Sequence, residues 1–170
     1  MLKNKWGLFS FFILFGFALF IFKASNTPYK DQDMKPLLRK TIHLQADSLP
    51  HLSFHYDGEQ VTSTKPYAFI EFILRKLGHV AEYAGFTLLV AFFLRQWRMK
   101  SGWLRIGNVL IPLLYALSDE WHQSFIPGRT GHLIDVYSFD LFGIILALIG
   151  VKCWRRRPMK KDRHLSLKKS

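Results

Sequence analysis

The run WGLFSFFILFGFALFIF (Trp6–Phe22) holds seventeen residues without a single charge. As a helix it reaches about 26 Å, close to the hydrocarbon thickness of a bilayer. Two more blocks are of similar character: Tyr67–Trp97, whose inner part AGFTLLVAFFL is clean, and Ile134–Val151. Hydrophobic residues make up 49% of the 170, a share that soluble domains also reach, so their clustering decides the class and not their number. Chains that cross a bilayer must satisfy their backbone polar groups internally, and blocks of this length do so as helices. The expectation is an all-α membrane protein.

A fourth helix is expected at Leu104–Phe125. Its charge-free core, Ile106–Leu117, has only 12 residues, too few to span alone. The helix must therefore continue through SDEWHQSF, which sets Asp119 and Glu120 at membrane depth or at its rim. Pro112 lies inside it, where a kink is expected.

The first block follows Lys3 and Lys5 and ends in KASNTPYK, without an A-x-A cleavage site. It is long for the apolar region of a signal peptide, and reads as a retained signal anchor. The net charge of +12 gathers in short flanks of the apolar blocks. Arg95, Arg98, Lys100 and Arg105 lie between the second and third, and Arg155–Arg157 and the basic tail follow the fourth. Positive flanks stay inside, which predicts four transmembrane helices with both termini cytoplasmic and a 40-residue extracytoplasmic loop after the first. The division expected is 1–25 anchor, 26–66 loop, 67–151 three-helix domain (helices near 67–97, 104–125 and 134–151) and 152–170 cytoplasmic tail. The tail reads as a retention signal and a contact for anionic lipids.

The same distribution argues against a nucleic-acid groove. One cysteine, Cys153, excludes an intrachain disulfide and a multi-cysteine zinc site. No Walker loop and no G-x-G-x-x-G is present, so no cofactor is expected. The loop DSLPHLSFHYDGEQVTSTKP alternates at Leu52, Phe54 and Tyr56, and predicts a short hairpin turning at Asp57-Gly58. It has no catalytic spacing, and His43, His51 and His55 read as solvated.

On this topology the polar residues converge on the outer side. At about 100° per residue, Lys76, His79 and Tyr83 share a face, with Glu82 and Arg75 on its flank. Tyr115, Ser118, Asp119 and His122 share another, and Glu120 and Gln123 an adjacent one. Asp140, Gly143 and Ala147 share a third, whose small residues admit a close helix and draw Asp140 inward. Charges facing lipid cost a few kcal/mol each, so these groups must pair, line a wet cavity, or both. Lys76 and Arg129 are the cations available to Asp119, Glu120, Asp135 and Asp140. Pro127 and Gly128 fix Arg129, whose guanidinium suits a phosphate or carboxylate. Two readings remain: a polar network that locks short spans together, or an outward cavity that binds or reacts.

RKLGHVAEY (Arg75–Tyr83), ALSDEWHQSFIPGRTG (Ala116–Gly131) and DVYSFDLFG (Asp135–Gly143) together resemble the VanZ-like family, whose founding members are linked to teicoplanin resistance in Gram-positive bacteria. PYKDQDMKPLL (Pro28–Leu38) and FHYDGEQV (Phe54–Val61) look like the extracytoplasmic segment of its Bacillus-type members. The resemblance covers about Ser25 to Gly150. It implies a multi-pass protein of the bacterial cell membrane. It carries over Lys76, His79, Asp119, Glu120, His122, Gln123, Pro127, Gly128, Arg129, Asp135 and Asp140 as the family's polar residues. One spacing departs: Asp140 follows Asp135 by five residues, where the family spaces its acids by about four.

Three functions remain open. In a binding protein, the cavity recognises a glycopeptide antibiotic or a lipid-linked cell-wall precursor through Lys76, His79, Asp119, Glu120, His122, Gln123, Arg129, Asp135 and Asp140. In an intramembrane enzyme, the candidate catalytic groups are His79, His122 and Glu120, with Asp119 or Asp135 orienting a histidine. A transporter is disfavoured by four short spans without a repeat. Ligation by His79, Asp119, Glu120 and His122 matches no zinc pattern, and no metal is expected.

Overall fold

The computed structural model describes residues 3–97 and 100–156. Arg98 and the tail from Arg157 onward, used above to orient the chain, lie outside the described residues. Helix α1 (Lys3–Ser25) leads through a short 3-10 turn to α2 (Lys35–Thr41), then to strands β1 (Ser53–Tyr56) and β2 (Glu59–Thr62). Helices α3 (Pro66–Arg95) and α4 (Ser101–Gln123) follow. The last stretch runs without a break through α5 (Leu133–Asp135), a π turn (Val136–Asp140) and α6 (Leu141–Arg156).

Among the described residues, three segments are long and apolar enough to cross a membrane: Lys5–Ser25, Pro66–Arg95 and Leu133–Trp154. α4 matches α1 in length, at 23 residues each, yet is not among them. Its last turns carry Asp119, Glu120, His122 and Gln123, which dilute its hydropathy. Pro112 sits buried inside α4, and the helix continues through it.

α3 is the central element and packs against α1, α4 and α6. Pro66 starts it at a position where the missing N–H costs nothing. One face buries Phe86, Val90 and Leu94 against Ile21, with Phe17 of α1 stacked on Phe86. Another places Tyr83 among Ala116, Val136 and Ile144. At thirty residues α3 is about 45 Å long, longer than the roughly 30 Å hydrocarbon core of a bilayer. Its first turns therefore stand beyond the end of α1 and carry the loop.

The outer surface of the bundle is apolar. Phe9, Phe12 and Phe20 on α1 are more than half exposed. This is unfavourable in water and matched in hydrocarbon. Trp6, Trp97, Trp103 and Trp154 are also exposed, and they cluster near the ends of α1, α3, α4 and α6 opposite the polar site. That is the placement of an interfacial aromatic belt.

The hairpin forms at the expected turn. Tyr56 pairs with Glu59, and Asp57 (φ 48°) and Gly58 (φ 83°) make the two-residue connection. Both positions need φ > 0, which Asp-Gly supplies at low cost. After α4, Ile126–Arg129 closes a turn through the Arg129 N–H to the Ile126 carbonyl at 3.0 Å. Pro127 presets its first central position, and Gly128 (φ 73°) takes the left-handed second one.

Candidate functional site

The polar residues meet at the level where α1 ends, in three adjoining networks. The first is built on the C-terminus of α1, whose last carbonyls have no helical partner. Arg129 donates to the Ser25 carbonyl at 3.2 Å and to the Gln32 side chain, and Gln32 donates to the Ala24 carbonyl at 2.8 Å. Asp119 accepts from Ser25 Oγ and from Gln123 Nε2, both at 2.9 Å. Burial, and next the neighbouring Arg75 guanidinium, push Arg129 below its ordinary pKa, though an arginine remains charged.

The second network centres on Asp135, which is 3% exposed. Its Oδ1 accepts from Lys76 Nζ and from Tyr56 Oη, each at 2.5 Å. The Lys76 ammonium also lies 4.4 Å from the centre of the Tyr56 ring, with Phe72 and Phe139 close by. Burial, then the bond to Asp135, raise the Tyr56 hydroxyl above its ordinary value and keep it protonated as a donor.

The third network joins α3, α4 and the π turn. His79 Nδ1 lies 2.9 Å from Asp140 Oδ1 and 3.9 Å from Glu120 Oε1. Glu120 Oε2 accepts the His132 backbone N–H at 2.9 Å. Glu120 and Asp140 are 2% and 0% exposed. Among the described residues, Glu120 Oε1 and Asp140 Oδ2 find no hydrogen-bond partner.

Asp140 reaches His79 because α6 approaches α3 very closely. A Cβ on Gly143 would strike the Val80 carbonyl oxygen. The π turn explains the unusual acid spacing. In an α-helix, five residues turn about 500°, which would leave Asp135 and Asp140 about 140° apart. A π turn closes its bonds five residues apart and absorbs the extra residue. Both acids are buried in the bundle.

Two cavities adjoin these networks. The larger, about 420 Å³, is bordered by Tyr56, Arg75, Lys76, His79, Arg129 and Asp135 among others. The smaller, about 300 Å³, lies toward the end of α1 beside Glu82. Arg75, His79, Gln123 and Arg129 border both. Among the described residues no carboxylate lies at ion-pair distance from Arg75 or Arg129. Arg75 rests over the Tyr29 ring at 5.3 Å.

The structure thus brings together Lys76, His79, Asp119, Glu120, Gln123, Arg129, Asp135 and Asp140. It leaves His122 outside. That ring stacks on Phe22 at 4.8 Å, with Nε2 3.2 Å from Asn26 Oδ1. His122 shares a face with Asp119 but lies nearly a turn further on, beside the chain leaving α1.

The loop of residues 26–66 contributes more than its spacing suggests. Gln32 and Tyr56 enter the networks, Tyr29 bonds to α3 beside them, and Asp57 pairs with His132. On α3, Glu71 accepts from Tyr29 Oη at 3.0 Å and from the Met34 N–H at 3.1 Å. Lys35 donates to the same tyrosine at 2.8 Å, and this bond raises the lysine's pKa. Apart from the Lys35–Tyr29 bond, each contact is a single long-range pair, so no local motif announces it. The alternation of Leu52, Phe54 and Tyr56 was the one signal in the residue pattern itself: it marks a face, and Phe54 and Tyr56 pack edge-on against Phe72 of α3.

No curated protein and no solved structure matches the chain. The VanZ/LLP1 family model matches residues 9–155, a stretch that contains every residue of the three networks. On that match, and with three helices of membrane length, the chain belongs to the VanZ/LLP1 family and is a multi-pass bacterial membrane protein.

Proposed function

We propose that the chain crosses the membrane four times with both termini in the cytoplasm, and that its polar cavity opens outward to hold the anionic head of an envelope molecule. The service is lipoglycopeptide resistance or envelope upkeep. The bound group is a carboxylate or phosphate, carried by a teicoplanin-type antibiotic or by a lipid-linked wall precursor. One observation carries this reading. Arg75 and Arg129 both border the cavity, close enough for one to depress the other's pKa, and among the described residues neither has a carboxylate at ion-pair distance. Two half-buried guanidiniums that no carboxylate contacts directly keep N–H donors free for an anion that accepts from both. Lys76, by contrast, is spent on Asp135 and serves as a wall.

The test is teicoplanin susceptibility in a strain lacking its own copy and supplied with variants. Arg75→Ala is expected to lose protection at unchanged membrane abundance, and Arg75→Lys to recover part of it. Arg129→Ala is expected to lose protection too, with lower abundance because it also caps α1. Wild-type protection from Arg75→Ala would count against an anion held by the two arginines.

A second reading is an enzyme acting on a lipid-linked wall intermediate. It is favoured by the His79–Asp140 pair at the cavity wall, in which a carboxylate orients an imidazole as in general acid–base catalysis. Release of phosphate from lipid-linked substrates, lost in His79→Asn, would establish it. No turnover on a panel of such lipids would remove it.

A further inference from the structure

The bundle holds more buried negative charge than positive. Asp119, Glu120, Asp135 and Asp140 are buried and Glu82 is half-buried, whereas the nearby cations Arg75, Lys76 and Arg129 are all only half-buried and Lys65 at the cavity rim is exposed. The excess is most concentrated in the third network. His79, Glu120 and Asp140 each offer one ligand atom, and these atoms lie within 4.8 Å of one another. Protonating His79 leaves the problem unsolved. Its Nδ1 reaches Asp140 Oδ1 at 2.9 Å, but Glu120 Oε1 stays at 3.9 Å, outside hydrogen-bond range. Glu120 Oε1 and Asp140 Oδ2 then remain orphaned on carboxylates that are 2% and 0% exposed. Buried unsatisfied acceptors are costly, and charged ones more so.

We infer that His79, Glu120 and Asp140 form a binding site for a divalent first-row transition-metal ion. A tetrahedral ion with bonds of about 2.0–2.2 Å holds its ligand atoms about 3.3–3.6 Å apart. The present separations bracket that value, so small side-chain rotations close the set. The ion satisfies the orphaned Glu120 oxygen and offsets the charge excess together. One imidazole nitrogen and two carboxylates, with no thiolate, suit zinc, manganese or iron(II). Magnesium and calcium prefer oxygen-only shells and are not expected to compete.

Outer contacts already orient the set. The His132 N–H pins Glu120 Oε2 and turns Oε1 toward His79. The chain can run that close because residue 131 is glycine, where a Cβ would strike the Glu120 carbonyl. Such outer partners are typical of built metal sites. Three protein ligands leave a coordination position free, and His79 borders the cavity while Glu120 and Asp140 lie behind it.

The inference stands apart from the anion reading, because metal content is measured with no envelope ligand present. The full chain, purified in detergent and stripped with EDTA, is titrated with Zn²⁺ and with Mn²⁺ in excess Mg²⁺, and retained metal is measured by elemental analysis. About one ion per chain is expected. Affinity should fall at least about a hundredfold in Glu120→Gln and Asp140→Asn, and stay unchanged in His51→Gln. The wild-type protein loaded with Mn²⁺ should show one directly bound histidine nitrogen in electron spin-echo spectra, a readout independent of how the variants fold. Failure to retain either ion, wild-type affinity in both carboxylate variants, or a spectrum without histidine nitrogen would each overturn the assignment.

Discussion

Replacing Gly143 with alanine tests the contact that brings Asp140 to His79. The added Cβ would meet the Val80 carbonyl oxygen, with Val80 C and Ala84 N both at 3.1 Å. All three are backbone atoms of α3, so no side chain can rotate aside. The helices must part by something on the order of 1 Å to restore ordinary contact distances. Overpacking of this kind costs about 1–3 kcal/mol. Alanine also gains about 1 kcal/mol of helix propensity over glycine, which would mask part of the loss.

Gly150 supplies the control, because a Cβ there meets nothing within 4 Å. It lies on the same helix, so the propensity gain is shared and the difference between the variants isolates the collision. Gly143→Ala should therefore be less stable than Gly150→Ala by about 1–3 kcal/mol, measured by denaturant unfolding in mild micelles and followed by tryptophan fluorescence. Because Asp140 lies one turn before Gly143, the same shift should lengthen the 2.9 Å His79–Asp140 contact. Equal stability of the two variants would refute the close approach of α3 and α6, and with it the reason given for the third network.

Three further outcomes follow from the same geometry. Lys76→Met should cost about 3–5 kcal/mol by stranding the buried Asp135, while the double variant with Asp135→Asn recovers most of it; additive losses in the cycle would mean that the pair is not desolvated. Tyr56 has a folded pKa raised above its ordinary 10.0, so its contribution is complete below that value and is lost as pH rises through and beyond it. Stability of the wild type should thus fall more steeply above about pH 10 than that of Tyr56→Phe, and parallel profiles would remove Tyr56 from the second network. Cys153, the only thiol, should resist an impermeant maleimide in intact cells and react after permeabilisation, with a cysteine at position 124 doing the reverse; labelling of Cys153 from outside would overturn the four-crossing topology.

Much of the helical layout was legible because membrane length and apolar clustering are strong local signals. The Asp57-Gly58 hairpin was legible for a similar reason, since two adjacent positive φ angles demand particular residues. The status of α4 was harder to read. Its length says one thing and its polar last turns another, and among the described residues three helices, not four, have the composition of a span. Within the site, helix periodicity grouped Lys76 with His79 and turned Asp140 inward. It also grouped His122 with Asp119, which the structure sets against different neighbours. Facing is a property of one helix, whereas reaching a cavity depends on which neighbour ends where. α1 ends beside Asp119, so the next turn of α4 meets Phe22 and Asn26 and not the cavity. The loop contributions were illegible because Gln32, Tyr29 and Tyr56 act one at a time, across 42 to 97 residues of sequence.

The π turn deserves the last test, because it reconciles a sequence oddity with the burial of two acids. Residues Tyr137 and Ser138 within it are exposed, while Val136 and Asp140 are fully buried. Deleting Ser138 would leave the acids four apart, a rotation of about 400° in a regular α-helix, or about 40° from alignment. Asp135 could then keep Lys76, and Asp140 keep His79, with the π turn replaced by α-helix. Inserting an alanine after Ser138 would set the acids six apart and swing Asp140 about 120° out of the bundle if the stretch became regular helix. The deletion should thus stay within about 1 kcal/mol of the wild type, and the insertion should lose several kcal/mol by stranding buried charge. Both are read by the same unfolding assay. If the deletion proves as damaging as the insertion, the extra residue is doing something other than restoring the facing of Asp135 and Asp140.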